Sequence, residues 1–161
     1  MSLSIPPKLE SGIDDLISRY PQKRSASLMV LHALQEHFGY LSQDAVEWTA
    51  AKLGLPAINI YELVTFYPMF RQAPVGKFHF KICRTLSCAL GGSQALHKHL
   101  CAKLGLDSEA HGLQTTPDGK FTVEFVECLA SCGTAPVLMV NDEFYEGVSL
   151  GKVDELVAKC Q

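Results

Sequence analysis

What most constrains this chain is where its cysteines fall. Four of the six form two close pairs, and each pair opens where a stretch of alternating hydrophobicity ends. Phe78, Phe80 and Ile82 alternate with His79 and Lys81 and run into Cys83; Cys88 follows after Arg-Thr-Leu-Ser. Phe121, Val123 and Phe125, with Glu127 at the margin, run in the same way into Cys128; Cys132 follows after Leu-Ala-Ser. A period of two marks a strand with one buried face. If the two strands are neighbours in a parallel sheet, both loops leave by one edge and four thiols meet there.

The flanking pattern fits such a sheet. Gly91-Gly92-Ser93 opens a helix through Leu96, Leu100 and Leu104, closed by Gly105. Thr116-Pro-Asp-Gly119 is a turn signal. Residues 137–140 read as a third strand, Asn141-Asp142 as a tight turn and residues 144–148 as a fourth strand. Leu150–Lys159 reads as a closing helix with Val153, Leu156 and Val157 inward. From Lys77 the order is strand, helix, strand, strand, strand, helix. Its first connection is a crossover, which favours a parallel pair, and its last two strands form a hairpin. That order is the thioredoxin-like arrangement.

Upstream of Gln72-Ala-Pro-Val-Gly76 the period changes to that of helices. Residues 14–20 give a short amphipathic piece ending at Pro21. Ser25 reads as the N-cap of a helix with Leu28, Leu31, Leu34 and Phe38 on its apolar face, stopped by Gly39. Asp44 and Glu47 resemble a capping box, followed by Val46, Ala50 and Leu53 and closed by Gly54. Pro56 suits the first turn of a helix carrying Ile60, Leu63 and Val64. The expected fold class is therefore α+β. A helical bundle spans 1–72, and a thioredoxin-like α/β domain spans 77–161.

Composition excludes several functions. Hydrophobic residues are 47% and charged residues 19% of the chain, a globular balance. Net charge is −3, with six basic and seven acidic residues over 1–75 and eight and ten over 76–161. Neither half is a basic patch, so no nucleic-acid partner is expected. The N-terminus has no basic and apolar leader pattern. The longest apolar stretch, about 135–140, falls far short of the roughly 20 residues a span needs. A soluble protein of a reducing compartment, without membrane insertion, is expected, and disulfides are not.

Two loops with two cysteines each suit a 2Fe–2S cluster, whose two tetrahedral irons each take two protein thiolates. Cys83, Cys88, Cys128 and Cys132 are the candidate ligands. The competing reading is structural zinc, which also uses four thiolates but commonly in shorter knuckles; unligated thiols are the third. A C-x-x-C redox motif is absent, and no histidine sits beside the candidate ligands as a Rieske centre would need. His97 and His99 are two apart on a helix and share no face. Cys101, beside Leu100 and Leu104, reads as packing, and the penultimate Cys160 as a frayed, exposed thiol. Phe66, Tyr67 and Phe70 read most simply as core, with part of a subunit contact as the alternative.

Glu127-Cys-Leu-Ala-Ser-Cys-Gly-Thr-Ala-Pro136, followed by Val-Leu-Met-Val-Asn-Asp, resembles the signature of the thioredoxin-like 2Fe–2S subunit of NADH:quinone oxidoreductase, respiratory complex I. Cys83-Arg-Thr-Leu-Ser-Cys88 is similar to that family's first ligand pair, and Thr65-Phe-Tyr-Pro-Met-Phe70 to its helical-domain signature. The resemblance runs from about residue 8 to the end, and all four ligand positions are cysteine. It implies a 2Fe–2S cluster and one-electron exchange with a partner flavoprotein subunit that binds FMN and NADH. It also implies further subunits of a respiratory complex. The place would be the cytoplasmic side of the inner membrane, or the mitochondrial matrix in a eukaryote. The equivalent subunit of a soluble NAD(P)-linked hydrogenase or formate dehydrogenase is the nearest alternative, and a zinc-stabilised interaction module is the alternative of another class.

Residues beside the cysteines carry secondary expectations. Arg84 should raise a cluster potential and Glu127 lower it, unless both are solvated without influence. Leu86, Ala89, Leu129 and Ala130 would shield the sulfurs. Ser87, Ser131 and Thr134 could hydrogen-bond to them, although small residues that let tight loops pass are the simpler reading. The fold analogy raises a cis bond before Pro136.

Overall fold

A computed structural model of the chain describes residues 3–160, which fall into two compact units divided between Pro74 and Val75. The first unit is helical: α1 (Pro7–Ser18), a 3₁₀ turn (Lys23–Ala26), α2 (Ser27–Phe38), α3 (Gln43–Leu53) and α4 (Ala57–Phe66). Ile13, Val30, Leu31, Leu34, Ala50 and Ile60 fill its core. Gly39 at φ +83° and Gly54 at φ +70° end α2 and α3, a left-handed stop that glycine adopts without penalty. Lys52 joins α3 to α1 through Glu10 at 2.8 Å and Asp14 at 2.9 Å.

Several helix starts differ from the sequence reading. The first helix begins at Pro7, with proline in the first turn, where its missing N–H is no loss. Ser25 lies in the 3₁₀ turn, and its proposed helix starts at Ser27. The cap of α3 is Ser42, whose hydroxyl accepts from the Ala45 N–H at 3.2 Å, and Asp44 sits in the first turn. The aromatic run divides. Phe70 is buried and tilts against His32, Tyr67 is half-buried, and Phe66 is 76% exposed. Phe66 ends α4, where the helix stops and its last side chain points away from the core.

The second unit contains β1 (Phe78–Cys83), α5 (Leu86–Leu90), α6 (Ser93–Leu104), β2 (Gln114–Thr115), β3 (Phe121–Val126), a 3₁₀ turn (Cys132–Thr134), β4 (Leu138–Val140), β5 (Glu143–Tyr145) and α7 (Leu150–Lys159). The sheet order is β2-β3-β1-β4-β5. β1 and β3 are parallel, with Phe78 opposite Phe121 and Cys83 opposite Val126; the other pairings are antiparallel. One sheet face presents Phe80, Ile82, Val123 and Leu138 to Leu96 and Leu100 of α6 and to Val153 and Leu156 of α7. The other carries polar side chains, with His79 Nε2 2.7 Å from Glu124 Oε1. The α+β class is as expected.

Two short elements, α5 and β2, escape the sequence reading, being too brief to show a period. The strand expected over 144–148 stops at Tyr145. Residues beyond it turn aside: Gly147 N–H donates to Thr134 O at 2.7 Å and Val148 N–H to Pro136 O at 2.9 Å. Cys160 is buried among core residues rather than frayed, because its N–H still bonds to Leu156 and Val157 at the end of α7. Burial pushes its thiol up. Cys101 is fully buried, as expected, and burial raises its thiol too.

Candidate metal centre

The parallel pairing of β1 with β3 puts both cysteine loops on one edge of the sheet. Cys83 is the last residue of β1; Arg84 N–H still reaches Val126 O at 3.0 Å, and Cys83 N–H reaches Val137 O at 3.2 Å. Cys128 follows two residues after β3 ends, and Cys132 opens the 3₁₀ turn before β4. The short helix α5 folds Cys88 back toward Cys83. Cys83 and Cys88 are buried together with Val137, and Leu129 and Ala135 pack on them. Cys128 and Cys132 are exposed.

The surroundings act on the two buried sulfurs in opposite directions. Burial alone would push the Cys83 thiol up. The Thr85 hydroxyl at 3.3 Å, with the backbone N–H groups of Leu129 and Thr85, outweighs it and holds Cys83 below its ordinary value. Burial pushes Cys88 up, and the neighbouring Cys83 and Cys132 add to that. Ala130 N–H donates to Cys128 Sγ at 3.3 Å. Ala130 reaches that position at φ +60°, a left-handed backbone that costs alanine about 1 kcal/mol.

Among the described residues no group of three or more His, Cys, Asp or Glu side chains stands ready to hold a metal ion. The four candidate thiols lie two by two on two loops. That donor set, all sulfur and two by two, with N–H and O–H donors aimed at it, fits a 2Fe–2S cluster.

The flanking residues differ from expectation in several places. Arg84 and Glu127 are bound to each other, with Arg84 Nε donating to Glu127 Oε1 at 3.0 Å, and both are more than half exposed. Leu86 is 75% exposed and covers no sulfur, since α5 turns it outward; Leu129, Ala135 and Val137 do the packing. Ala130 is exposed and supplies its N–H. The Ser131 and Thr134 hydroxyls go to Glu146, with Thr134 Oγ1 donating to Glu146 Oε1 at 2.7 Å. The peptide bond before Pro136 is cis. Sequence reading missed Thr85 and Glu146. Thr85 was within reach, two residues from Cys83; nothing local marks Glu146, which arrives only through the turn after β5.

The model of thioredoxin-like [2Fe-2S] ferredoxins matches residues 13–161. The chain belongs to that family. Its cofactor is accordingly a 2Fe–2S cluster. Among curated relatives of this ferredoxin, the second of the E-type NADH-quinone oxidoreductase subunits of Rhizobium meliloti (strain 1021) is 39% identical over 149 residues, covering 92% of the chain and 86% of the relative. The E-type NADH-quinone oxidoreductase subunit of Rickettsia conorii (strain ATCC VR-613 / Malish 7) is 39% identical over 151 residues, covering 92% and 88%. Among solved structures, a NAD+-reducing [NiFe]-hydrogenase in the air-oxidized state aligns with a TM-score of 0.67 at 25% identity. That alignment covers 82% of this ferredoxin but only 22% of the hydrogenase chain. No described helix is long and apolar enough to cross a membrane.

Proposed function

We propose that this chain is the 2Fe–2S electron-carrying subunit of an NADH:quinone oxidoreductase, with Cys83, Cys88, Cys128 and Cys132 as the cluster ligands. Its partner is the FMN- and NADH-binding flavoprotein subunit, with which it exchanges single electrons, within a peripheral arm on the cytoplasmic face of the membrane. The helical residues 1–72 and the cluster-binding residues 77–161 are the two domains of this reading. The observation that carries it is two cysteine pairs at the same ends of neighbouring parallel strands, in a chain of a 2Fe–2S family. The quinone-linked reading is preferred to the hydrogenase-linked one on length. The NADH-quinone oxidoreductase relatives match this chain along most of both lengths, whereas the hydrogenase chain is far longer.

The cluster supplies one-electron chemistry, and the chain supplies position and field. β1 and β3 bring the two loops to one edge. Val137, Leu129 and Ala135 keep water from Cys83 and Cys88, while Cys128 and Cys132 face outward. Thr85 and the N–H groups of Leu129 and Ala130 donate to sulfur and stabilise negative charge there. The buried pair thus faces the sheet, and the exposed pair lies where a partner can approach.

The test is iron and sulfide analysis of anaerobically purified protein and six alanine variants. Alanine at Cys83, Cys88, Cys128 or Cys132 should lower cluster content and the spin-one-half EPR signal of the reduced protein. Alanine at Cys101 or Cys160 should leave the cluster in place. Stoichiometric zinc in a colourless protein, or an intact cluster in Cys128→Ala, would end the assignment. Co-purification with an FMN-containing subunit tests the partner.

A further inference from the structure

The loop that carries Cys128 and Cys132 is exposed, yet it is tied down. The hydroxyls of Ser131 and Thr134 both donate to one oxygen, Glu146 Oε1, with their own oxygens 2.7 Å apart. A backbone seam runs beside this knot: Gly147 N–H to Thr134 O at 2.7 Å and Val148 N–H to Pro136 O at 2.9 Å. Ser131 immediately precedes Cys132, and Thr134 ends the 3₁₀ turn that Cys132 begins. One carboxylate therefore grips the chain on both sides of a cysteine. Glu146 lies on the turn between β5 and α7, 15 residues beyond Ser131 and 12 beyond Thr134.

We propose that Glu146 is a positioning residue that holds the Cys128–Cys132 loop in its cluster-binding shape. This rests on the reading of those cysteines as ligands. Glu146 is not itself a ligand and acts through the two hydroxyls. An exposed loop followed directly by Gly133 loses conformational freedom when it closes on a cluster. A carboxylate that already holds two of its hydroxyls removes part of that cost beforehand. The two hydroxyl bonds also hold the Glu146 carboxyl below its ordinary value, so it is ionised at neutral pH and accepts from both donors.

The experiment follows cluster loss from the full-length reduced chain into excess iron chelator, for wild type, Glu146→Ala, Glu146→Gln, the Ser131→Ala/Thr134→Val double variant and the triple combination. Glu146→Ala should lose iron roughly tenfold faster, the order expected from removing a charge-assisted contact to two hydroxyls. Glu146→Gln keeps an oxygen acceptor and should recover most of the wild-type rate. The double variant should match Glu146→Ala, and the triple should be no faster than either, because all three break one contact. The reduced-state EPR line shape should broaden in Glu146→Ala, a change a purely surface role would not produce. A wild-type loss rate in Glu146→Ala, failure of glutamine to restore it, or additive losses in the triple variant would overturn the proposal. A wild-type chain without iron would instead remove the function on which it stands.

Discussion

Replacing Gly91 with alanine sets two effects of opposite sign against each other. Gly91 follows α5 with φ −75° and ψ −3°, a conformation open to any residue, so backbone entropy alone favours alanine by about 0.5–1 kcal/mol. A Cβ there, however, would lie 3.1 Å from Ser87 O and 3.2 Å from both the carbonyl carbon and Cβ of Ala135. Neither neighbour is the free end of a flexible side chain. Ser87 O already accepts from Gly91 N–H at 2.8 Å, and Ala135 is flanked by two residues whose carbonyls are bonded to Gly147 and Val148. Overpacking against such atoms costs about 1–3 kcal/mol, so sterics win by roughly 1–2 kcal/mol. Because Ala135 packs on Cys83 and Cys88, cluster loss should accelerate along with unfolding. The assay is thermal unfolding followed in parallel by far-UV circular dichroism and cluster absorbance. Gly12→Ala is the internal contrast. It sits inside α1 with nothing within 4 Å of the added carbon, so it should stabilise its unit by about 0.5–1 kcal/mol. A Gly91→Ala protein as stable as wild type, beside a Gly12→Ala protein that behaves as expected, would refute the steric argument.

Ala130→Val should cost the Cys128–Cys132 loop about 1–2 kcal/mol, because a β-branched residue resists the φ of +60° found there. Ala130→Gly should keep wild-type iron content, and equal retention by both variants would count against a strained loop. Arg84→Ala should lower the midpoint potential and Glu127→Ala raise it, each by roughly 25 mV for a charge about 7 Å away in water-like surroundings. Since the two side chains are bonded to each other, the double variant should nearly restore the wild-type value in a redox titration. Asp154 is held below its ordinary value by its bonds to Lys103 and His99. A carboxyl depressed on folding stabilises above its unfolded value and loses that contribution as pH falls through the folded one. The stability gap between wild type and Asp154→Asn should therefore be present at neutral pH and close in strong acid; a gap unchanged down to pH of about 2 would contradict this.

Periodic features were legible in the residues alone. Phe78, Phe80 and Ile82, and Phe121, Val123 and Phe125, announce two half-buried strands, because alternation is the only pattern that puts one face of a strand inward. Helix stops at Gly39, Gly54 and Gly105 were equally legible, since a left-handed residue is a local requirement. Four cysteines at strand ends pointed to the chemistry. What stayed hidden depends on residues distant in the chain. Phe66 and Phe70 look alike in sequence, yet one is exposed and the other buried, because burial is decided by what packs opposite. Cys160 reads as frayed by position and is buried by the docking of α7. Arg84 and Glu127 carry opposite expectations until the parallel register of β1 and β3 bonds them together. Glu146 has no local signal at all; it meets Ser131 and Thr134 only because the chain turns away after β5. Local pattern fixes backbone shape and periodic burial, whereas a side chain's charge partners and its distance from a cysteine exist only once the sheet has brought separate segments together.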